Sequence, residues 1–529
     1  MDKTGKAIMW SPDGQCSNDA VADLMGHFRD KGVRLWSEDG RLHYKAPRGA
    51  LTQDEIEKLR AFKSELIALV KSKTAIEPNT AVPEAARRLQ RAPLAFSQMA
   101  HWHFYRLCER SAMRQIASAT RILGRLDVNA LERGMTEVVH RHDALRTRIV
   151  ASKEGLYQEV NQRAEFELAF QDLTTLAEGT RERELTRLIE ELIVERVDVC
   201  VDPLFRAQLV RLRAREHVLI VAMEHLISDA YSMSILIGDI FSAYVQTLRH
   251  QVVSLPKVAA QFTDYAVWVN ETHRARQEKH GTQWTKCLTE GKRLRFPSDV
   301  HVHDASDLGW GTAPIRIAVD LKEELLEWCR ARQTTLVMGV FTAYAALVLR
   351  WCNASELIVR YQSDGRVNRI YNNTVGYFAT VLYVRCALTG YDRFIEIKNR
   401  LTDEYCRAYE CADFSYMDAQ VPRPEFVQNT AFNWVPHGSA IDVYDLDDSA
   451  DAITLSPVSF EHPILKTLQA DEEPGILLHE GQGEIVGGVH FPLSRFSVGL
   501  MDRFACNFMQ FIRTMIREPG ICVQDIPLL

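Results

Sequence analysis

Apolar residues recur along the chain in two rhythms, one of three to four residues and one of two, and the switches between them mark its organisation. Val21, Leu24, Met25 and Phe28 stand at helical spacing, which predicts an amphipathic helix over 19–30, ended by Gly32. Val33-Arg34-Leu35-Trp36 and Arg41-Leu42-His43-Tyr44 then alternate around Glu38-Asp39-Gly40, the pattern of a hairpin with an Asp-Gly turn. Pro47 and Gly49 break the chain. Thr52, with Glu55 three residues on, has capping-box spacing, and Ile56, Leu59, Phe62, Leu66 and Leu69 make one buried stripe. Residues 20–73 therefore read as a small helix–hairpin–helix unit. Residues 1–19 lack periodicity and read as a flexible leader. Residues 74–91, rich in Ala, Pro, Thr and Glu, read as a linker stiffened by Pro78 and Pro83.

From Ala92 onward, long helical patterns alternate with short strands, an α/β (α+β) arrangement. Strands are predicted at 203–213 and 217–223, followed by a helix from Ser232 to about Leu248. A second lobe is placed from about residue 270, giving lobes at 92–269 and 270–529. It is expected to hold a helix around 334–351, strands at 356–361 and near 377–386, and a terminal helix at 497–517. A chain of 529 residues is long enough for more than one core.

Composition narrows the function classes. Net charge is −7, which argues against a general nucleic-acid binder. No apolar run approaches bilayer length, and the N-terminus has no secretory pattern, so a cytoplasmic protein without a membrane partner is expected. The 11 cysteines contain no C-x-x-C pair, which suits free thiols rather than a disulfide framework or a zinc site. Charge is uneven. Residues 20–73 hold 11 Lys or Arg against 8 Asp or Glu, a net of +3, and the remainder of the chain carries about −10.

The candidate chemistry lies at Met223-Glu224-His225-Leu226-Ile227-Ser228-Asp229-Ala230. With 17 histidines, a His followed four residues later by Asp is expected about once by chance, so the spacing alone is weak. Its setting says more: an apolar, β-branched run ends at Met223 and a helix begins at Ser232. A strand-to-helix turn can present side chains to a cleft while its backbone stays rigid. Acyl transfer needs a base or an oriented donor beside the nucleophile, and neutral imidazole has suitable basicity. Asp229 would shape the turn and, if buried, need a cationic partner. A structural histidine satisfied by the turn is the competing reading. His301-Val302-His303-Asp304 offers two imidazoles on one strand face but no third ligand, so no metal site is assigned. No phosphate-loop or dinucleotide fingerprint appears.

These segments, in order, resemble the condensation domains of nonribosomal peptide synthetases. The stretch around His225 is similar to that family's HHxxxDG signature. Pro93-Leu94-Ala95-Phe96-Ser97-Gln98 resembles its opening segment, and His140-Arg141-His142-Asp143-Ala144-Leu145-Arg146-Thr147 its "RHExLRT" segment. Asp264-Tyr265-Ala266-Val267-Trp268 with Gln283-Trp284, Phe296-Pro297-Ser298-Asp299, Val375-Gly376-Tyr377-Phe378 and Phe432-Asn433-Trp434 follow in family order. Asp525-Ile526-Pro527-Leu528-Leu529 looks like its final strand. The resemblance covers 92–529 and implies two chloramphenicol-acetyltransferase-like lobes in a V, with the active site between them. It implies His225 as the catalytic residue, orienting or deprotonating the nucleophile or stabilising the tetrahedral intermediate. His140 and His142 are then packing residues. Arg366, ten residues before Gly376, resembles the family arginine that pairs with the motif aspartate, here Asp229. Glu224 stands where the signature has its first histidine and is expected to support the loop. Ala230 stands where it has glycine and is expected to narrow or reshape the acceptor channel.

The N-terminal unit resembles the β-hairpin, TubC-type docking domain found at the start of some synthetase subunits. The expected docking residues are Arg34, Trp36, Arg41, Lys45 and Arg48. Their charge suits strand addition of the acidic C-terminal tail of an upstream carrier protein. Together the two resemblances imply a free-standing condensation enzyme with no bound cofactor. Its acyl donor would be a thioester on the carrier's phosphopantetheine arm, and its product an amide or ester. With no acceptor carrier in the chain, a trans-acting release to a small free nucleophile is expected, a carrier-bound one being the alternative. The rival from another class is a non-catalytic platform that recruits carriers or tailoring enzymes.

Overall fold

The computed structural model describes residues 34–38, 41–45, 89–107, 115–153, 155–162, 165–195, 197–289, 294–300, 309–366, 368–387, 392–412, 430–435, 444–445, 453–458, 473–481 and 483–529. The chain divides into two compact units, Met1–Ala81 and Val82–Leu529. In the first, strands Arg34–Glu38 and Arg41–Lys45 pair antiparallel, with Glu38 opposite Arg41. That register leaves two residues for the turn, as the Asp-Gly pattern requires. The two helices expected to flank this hairpin, and Arg48, lie outside the described residues.

The second unit carries two six-stranded sheets. In the first sheet, strand Glu216–Glu224 lies between Gln115–Leu123 and Phe205–Arg213, antiparallel to both. Its sequence is apolar almost throughout because both sides of the sheet are covered. Leu219, Val221 and Met223 enter one core with helices Val128–Arg141 and Ala230–Leu248. Val218 and Ile220 enter another beneath helix Glu178–Val194. A period of two thus serves two cores.

The second sheet runs, in spatial order, Trp310–Ile317, Glu484–Pro492, Gly475–Gly481, Thr430–Val435, Glu356–Ser363 and Thr380–Ala387. Helices Val319–Ala331, Leu336–Trp351, Phe394–Tyr409 and Val498–Arg517 contribute to its main core. Strand Thr454–Pro457 leaves this half of the sequence and pairs with Gln115–Leu123 of the first sheet, so the two lobes share a ladder.

Most predicted elements appear within a few residues of their expected ends. Two differ. The strand near 377–386 begins at Thr380, because the backbone of 378–379 is engaged with the first lobe. The expected final strand at 525–529 is absent: a 3-10 turn spans Val523–Asp525, and the tail is held by side chains. Asn507 Oδ1 accepts from Leu529 N and Gln510 Nε2 donates to Pro527 O, while Ile526 is buried. Among the described residues, no single helix is long and apolar enough to cross a membrane. The nine described cysteines are free thiols.

Candidate active site

His225 opens a single 3-10 turn, His225–Ile227, between strand Glu216–Glu224 and helix Ala230–Leu248. Leu226 and Ile227 are buried and pin the turn to the first-lobe core. Ser228 Oγ donates to Glu224 O at 2.9 Å and closes the turn. His225 itself is half-buried. Its Nδ1 lies 2.8 Å from Ser228 O. A carbonyl only accepts, so Nδ1 carries the proton in the neutral ring and Nε2 is left for a reacting group. Burial holds His225 below the ordinary imidazole pKa of 6.5, opposed by the Ser228 carbonyl, its own backbone and Asp229.

Asp229 makes no hydrogen bond to the His225 ring. It is the N-cap of the following helix, where its Oδ1 accepts from Ser232 N at 2.7 Å. Ser232 Oγ donates to the same oxygen, and the remaining side-chain contacts come from the second lobe. Arg366 Nη1 donates to Oδ2 at 3.0 Å and Nη2 to Oδ1 at 3.2 Å, a fork-to-carboxylate pair with both side chains 1% exposed. The N–H groups of Phe378 and Ala379 donate to Oδ2 at 3.0 and 3.1 Å. A carboxylate and a guanidinium are thus taken out of water together, with the hydrogen bonds that such burial needs.

Ser232 completes the joint. Its Oγ lies 2.7 Å from Asp229 Oδ1 and 2.8 Å from Gly376 O, and it accepts from Gly376 N at 3.0 Å and Arg366 Nη2 at 2.9 Å. Arg366 also donates to the carbonyls of Asp364 and Thr374, and its guanidinium stacks over Tyr231 and Phe378, 4.5 and 4.4 Å from the ring centroids. Gly376 packs so closely that a Cβ there would sit 2.2 Å from the Phe262 ring.

Glu224 is buried at the end of its strand, paired with Gln115 in the ladder, and its N–H donates to Leu204 O. Ala230 is exposed at the first position of the helix. His142 is buried against Asp239, which also takes Arg141, and Arg146 donates to the carbonyls of Val139, His140 and Asn161. That segment is a hydrogen-bonded support for the lobe. Arg34, Trp36, Arg41 and Lys45 lie on the two hairpin strands. His301 and His303 lie outside the described residues. Among the described residues, no group of three or more His, Cys, Asp or Glu is arranged to hold a metal ion.

Sequence reasoning placed Ser232 at the start of the helix but gave it no role in the joint, which lies outside the H-x-x-x-D spacing. It missed His101 and Tyr377. Their rings stand 5.0 and 4.9 Å from the His225 ring, centroid to centroid. Tyr377 lies in the Val375-Gly376-Tyr377-Phe378 stretch and His101 three residues past Gln98, but nothing in the local sequence says that they meet.

Comparison with known proteins agrees with this architecture. A family model described as a condensation domain matches residues 89–430, and one described as a TubC N-terminal docking domain matches 21–71. A linear gramicidin synthase protein of Brevibacillus parabrevis is 28% identical over 331 residues, which is 62% of this chain and 6% of that protein. Gramicidin S synthase 2 of Brevibacillus brevis is 26% identical over 415 residues, 77% of this chain and 9% of its own length. The chain thus spans about a tenth or less of these relatives. Among solved structures, the X-domain from teicoplanin biosynthesis superposes with a TM-score of 0.69 at 21% identity, over 85% of this chain and all of that one. SgcC5 from Streptomyces globisporus gives 0.63 at 23% identity, over 81% and 100%. The first condensation domain of the calcium-dependent antibiotic synthetase gives 0.68 at 18%, over 83% and 99%.

Proposed function

Because the chain belongs to the condensation-domain family of amide- and ester-forming acyltransferases, we propose that it transfers an acyl group from a carrier-bound thioester to a small free amine or alcohol. The observation that carries this reading is the His225 ring, whose Nδ1 is occupied by Ser228 O while burial keeps the imidazole neutral. In the proposed step, Nε2 takes the proton of the nucleophile as its nitrogen or oxygen bonds to the thioester carbon. The tetrahedral adduct then collapses, the C–S bond breaks, and the proton passes to the departing phosphopantetheine thiolate. Asp229, Arg366 and Ser232 touch no reacting atom. They hold the turn and the second lobe in fixed relation, so that the base does not move during transfer. No cofactor is required beyond the carrier's own arm.

Two likenesses inform the choice of partners. The docking match at 21–71 implies an interacting carrier protein, and the net +3 over 20–73 suits an acidic tail that raises its effective concentration. The solved structure of SgcC5 contains a free aromatic diol, which favours a free acceptor here as well. A second reading, a recruiting platform without chemistry, is favoured by the likeness to an X-domain solved in complex with OxyB.

One assay separates them. Acyl-loaded carrier is incubated with this protein and candidate nucleophiles, and acyl loss is followed by intact-protein mass spectrometry. His225→Ala should cost at least about a hundredfold in transfer rate. Arg34→Glu or Arg41→Glu should raise the apparent KM for the full-length carrier at low salt and lose that effect at high salt. Unchanged turnover in His225→Ala excludes catalysis by His225, no transfer by the parent protein above the carrier-only background supports the platform, and product from a carrier-bound acceptor alone rejects the free nucleophile.

A further inference from the structure

We propose that His101 and Tyr377 are positioning residues that clamp the His225 ring, one from each lobe. The inference rests on His225 as the base of acyl transfer. A single hydrogen bond from Nδ1 to Ser228 fixes one atom of the imidazole, but the torsion that turns a ring about its stem is broad. The tilt must be set by what packs against the faces and edges. Two rings do so. His101 lies 5.0 Å away at an interplanar angle of 52°, and Tyr377 lies 4.9 Å away, edge-on at 71°. They also meet each other, at 5.5 Å and 62°, so the three rings close a triangle. All three residues are half-buried, whereas Trp102, Leu226, Gly376 and Phe378 beside them are buried.

The mounts of both clamp rings are tied to the backbone or side chains on either side of His225. His101 lies on helix Phe96–Leu107, three residues after Gln98 and so on the same face. Gln98 is fully buried. Its Nε2 donates to Leu226 O at 2.7 Å, and its Oε1 accepts from Ala95 N and Gln158 Nε2 at 2.9 and 3.2 Å. Trp102 anchors the same helix in the first-lobe core. Tyr377 lies between Gly376 and Phe378, whose N–H groups donate to Ser232 Oγ and Asp229 Oδ2. One ring therefore follows the turn at Leu226, and the other follows the joint with the second lobe. The base is held in a single orientation only while that joint is made.

The test uses the full-length chain with a loaded carrier, and pairs of variants that keep or remove each ring. His101→Ala and Tyr377→Ala should each lower kcat by about tenfold or more while the KM for the carrier stays within about twofold. His101→Phe and Tyr377→Phe should stay within about threefold of the parent rate, because packing rather than hydrogen bonding sets the tilt. Independently of turnover, the 15N-histidine spectrum of the free protein should show His225 as a single Nδ1–H tautomer, and as a tautomeric average in the two alanine variants. Parental kcat in the alanine variants, phenylalanine variants as slow as alanine, or a His225 spectrum indifferent to position 101 would overturn the clamp. If His225→Ala keeps full activity, the functional reading fails instead, and the 15N spectrum still decides whether the rings clamp.

Discussion

At His225 the proton has one place to be. Ser228 O can only accept, so the neutral ring protonates at Nδ1 and presents Nε2 as a base. Burial disfavours the imidazolium, which places the folded-state pKa below 6.5. The base form is the one present above that pKa, so activity should be kept as pH falls through 6.5 and lost only below it. A profile of kcat/KM against pH should therefore be level through the ordinary histidine range, with its acid limb lower. An inflection at or above 6.5 would contradict a neutral buried base. The H-x-x-x-D spacing marked His225 and Asp229, and the strand-to-helix setting gave the local geometry. It could not show that the two side chains are not hydrogen-bonded to each other, because Asp229 directs its lone pairs to Ser232 and to residues 137 to 150 positions away. His101 was invisible for the same reason: its neighbour in space is on another element.

Elements explain why the pair Asp229–Arg366 forms at all. The loop before Arg366 turns through Gly365 at φ +63°, a conformation that costs a side-chain-bearing residue free energy. Space is short there too, since a Cβ on Gly365 would lie 1.9 Å from Phe378 O. Gly365→Ala should therefore push Phe378 and Arg366 away from Asp229 and lower stability by about 2 kcal/mol or more, with a matching loss of transfer. Gly309→Ala is the control. It has nearly the same φ, +68°, but nothing within 4 Å of the new Cβ, so it reports the backbone term alone. Equal denaturant midpoints for the two variants would remove the steric part of the argument. The strand over 217–223 was readable because its apolar run from Val218 to Met223 is long and β-branched. The start of Thr380–Ala387 was not, because the peptide groups of Phe378 and Ala379 serve the first lobe, a demand that no local pattern carries. The tail at 525–529 was expected as a strand from the family resemblance alone, yet side chains of helix Val498–Arg517 take its backbone groups.

Across the whole molecule, two lobes were legible from alternating helices and strands, but their shared ladder was not. Strand Thr454–Pro457 pairs with Gln115–Leu123 across more than three hundred residues, and only the folded chain reveals that pairing. The lobes also share a titration behaviour. His142, His217 and His225 in the first, His273 beyond it, and His479 and His490 in the second sheet are all held below 6.5, with burial the first cause in each. His490 is pushed down to about 4. In the unfolded chain each would titrate near its ordinary value. Below that value the unfolded state binds protons that the folded state refuses, so stability falls as pH falls. The urea midpoint should accordingly drop between about pH 7 and about pH 5.5, above the range in which carboxylates protonate. His490→Gln, which keeps a hydrogen-bonding group beside Thr312, should make that drop smaller without altering the midpoint slope at neutral pH. A midpoint that stays level over this range would mean that these imidazoles are offset by groups that bind protons more tightly in the folded state.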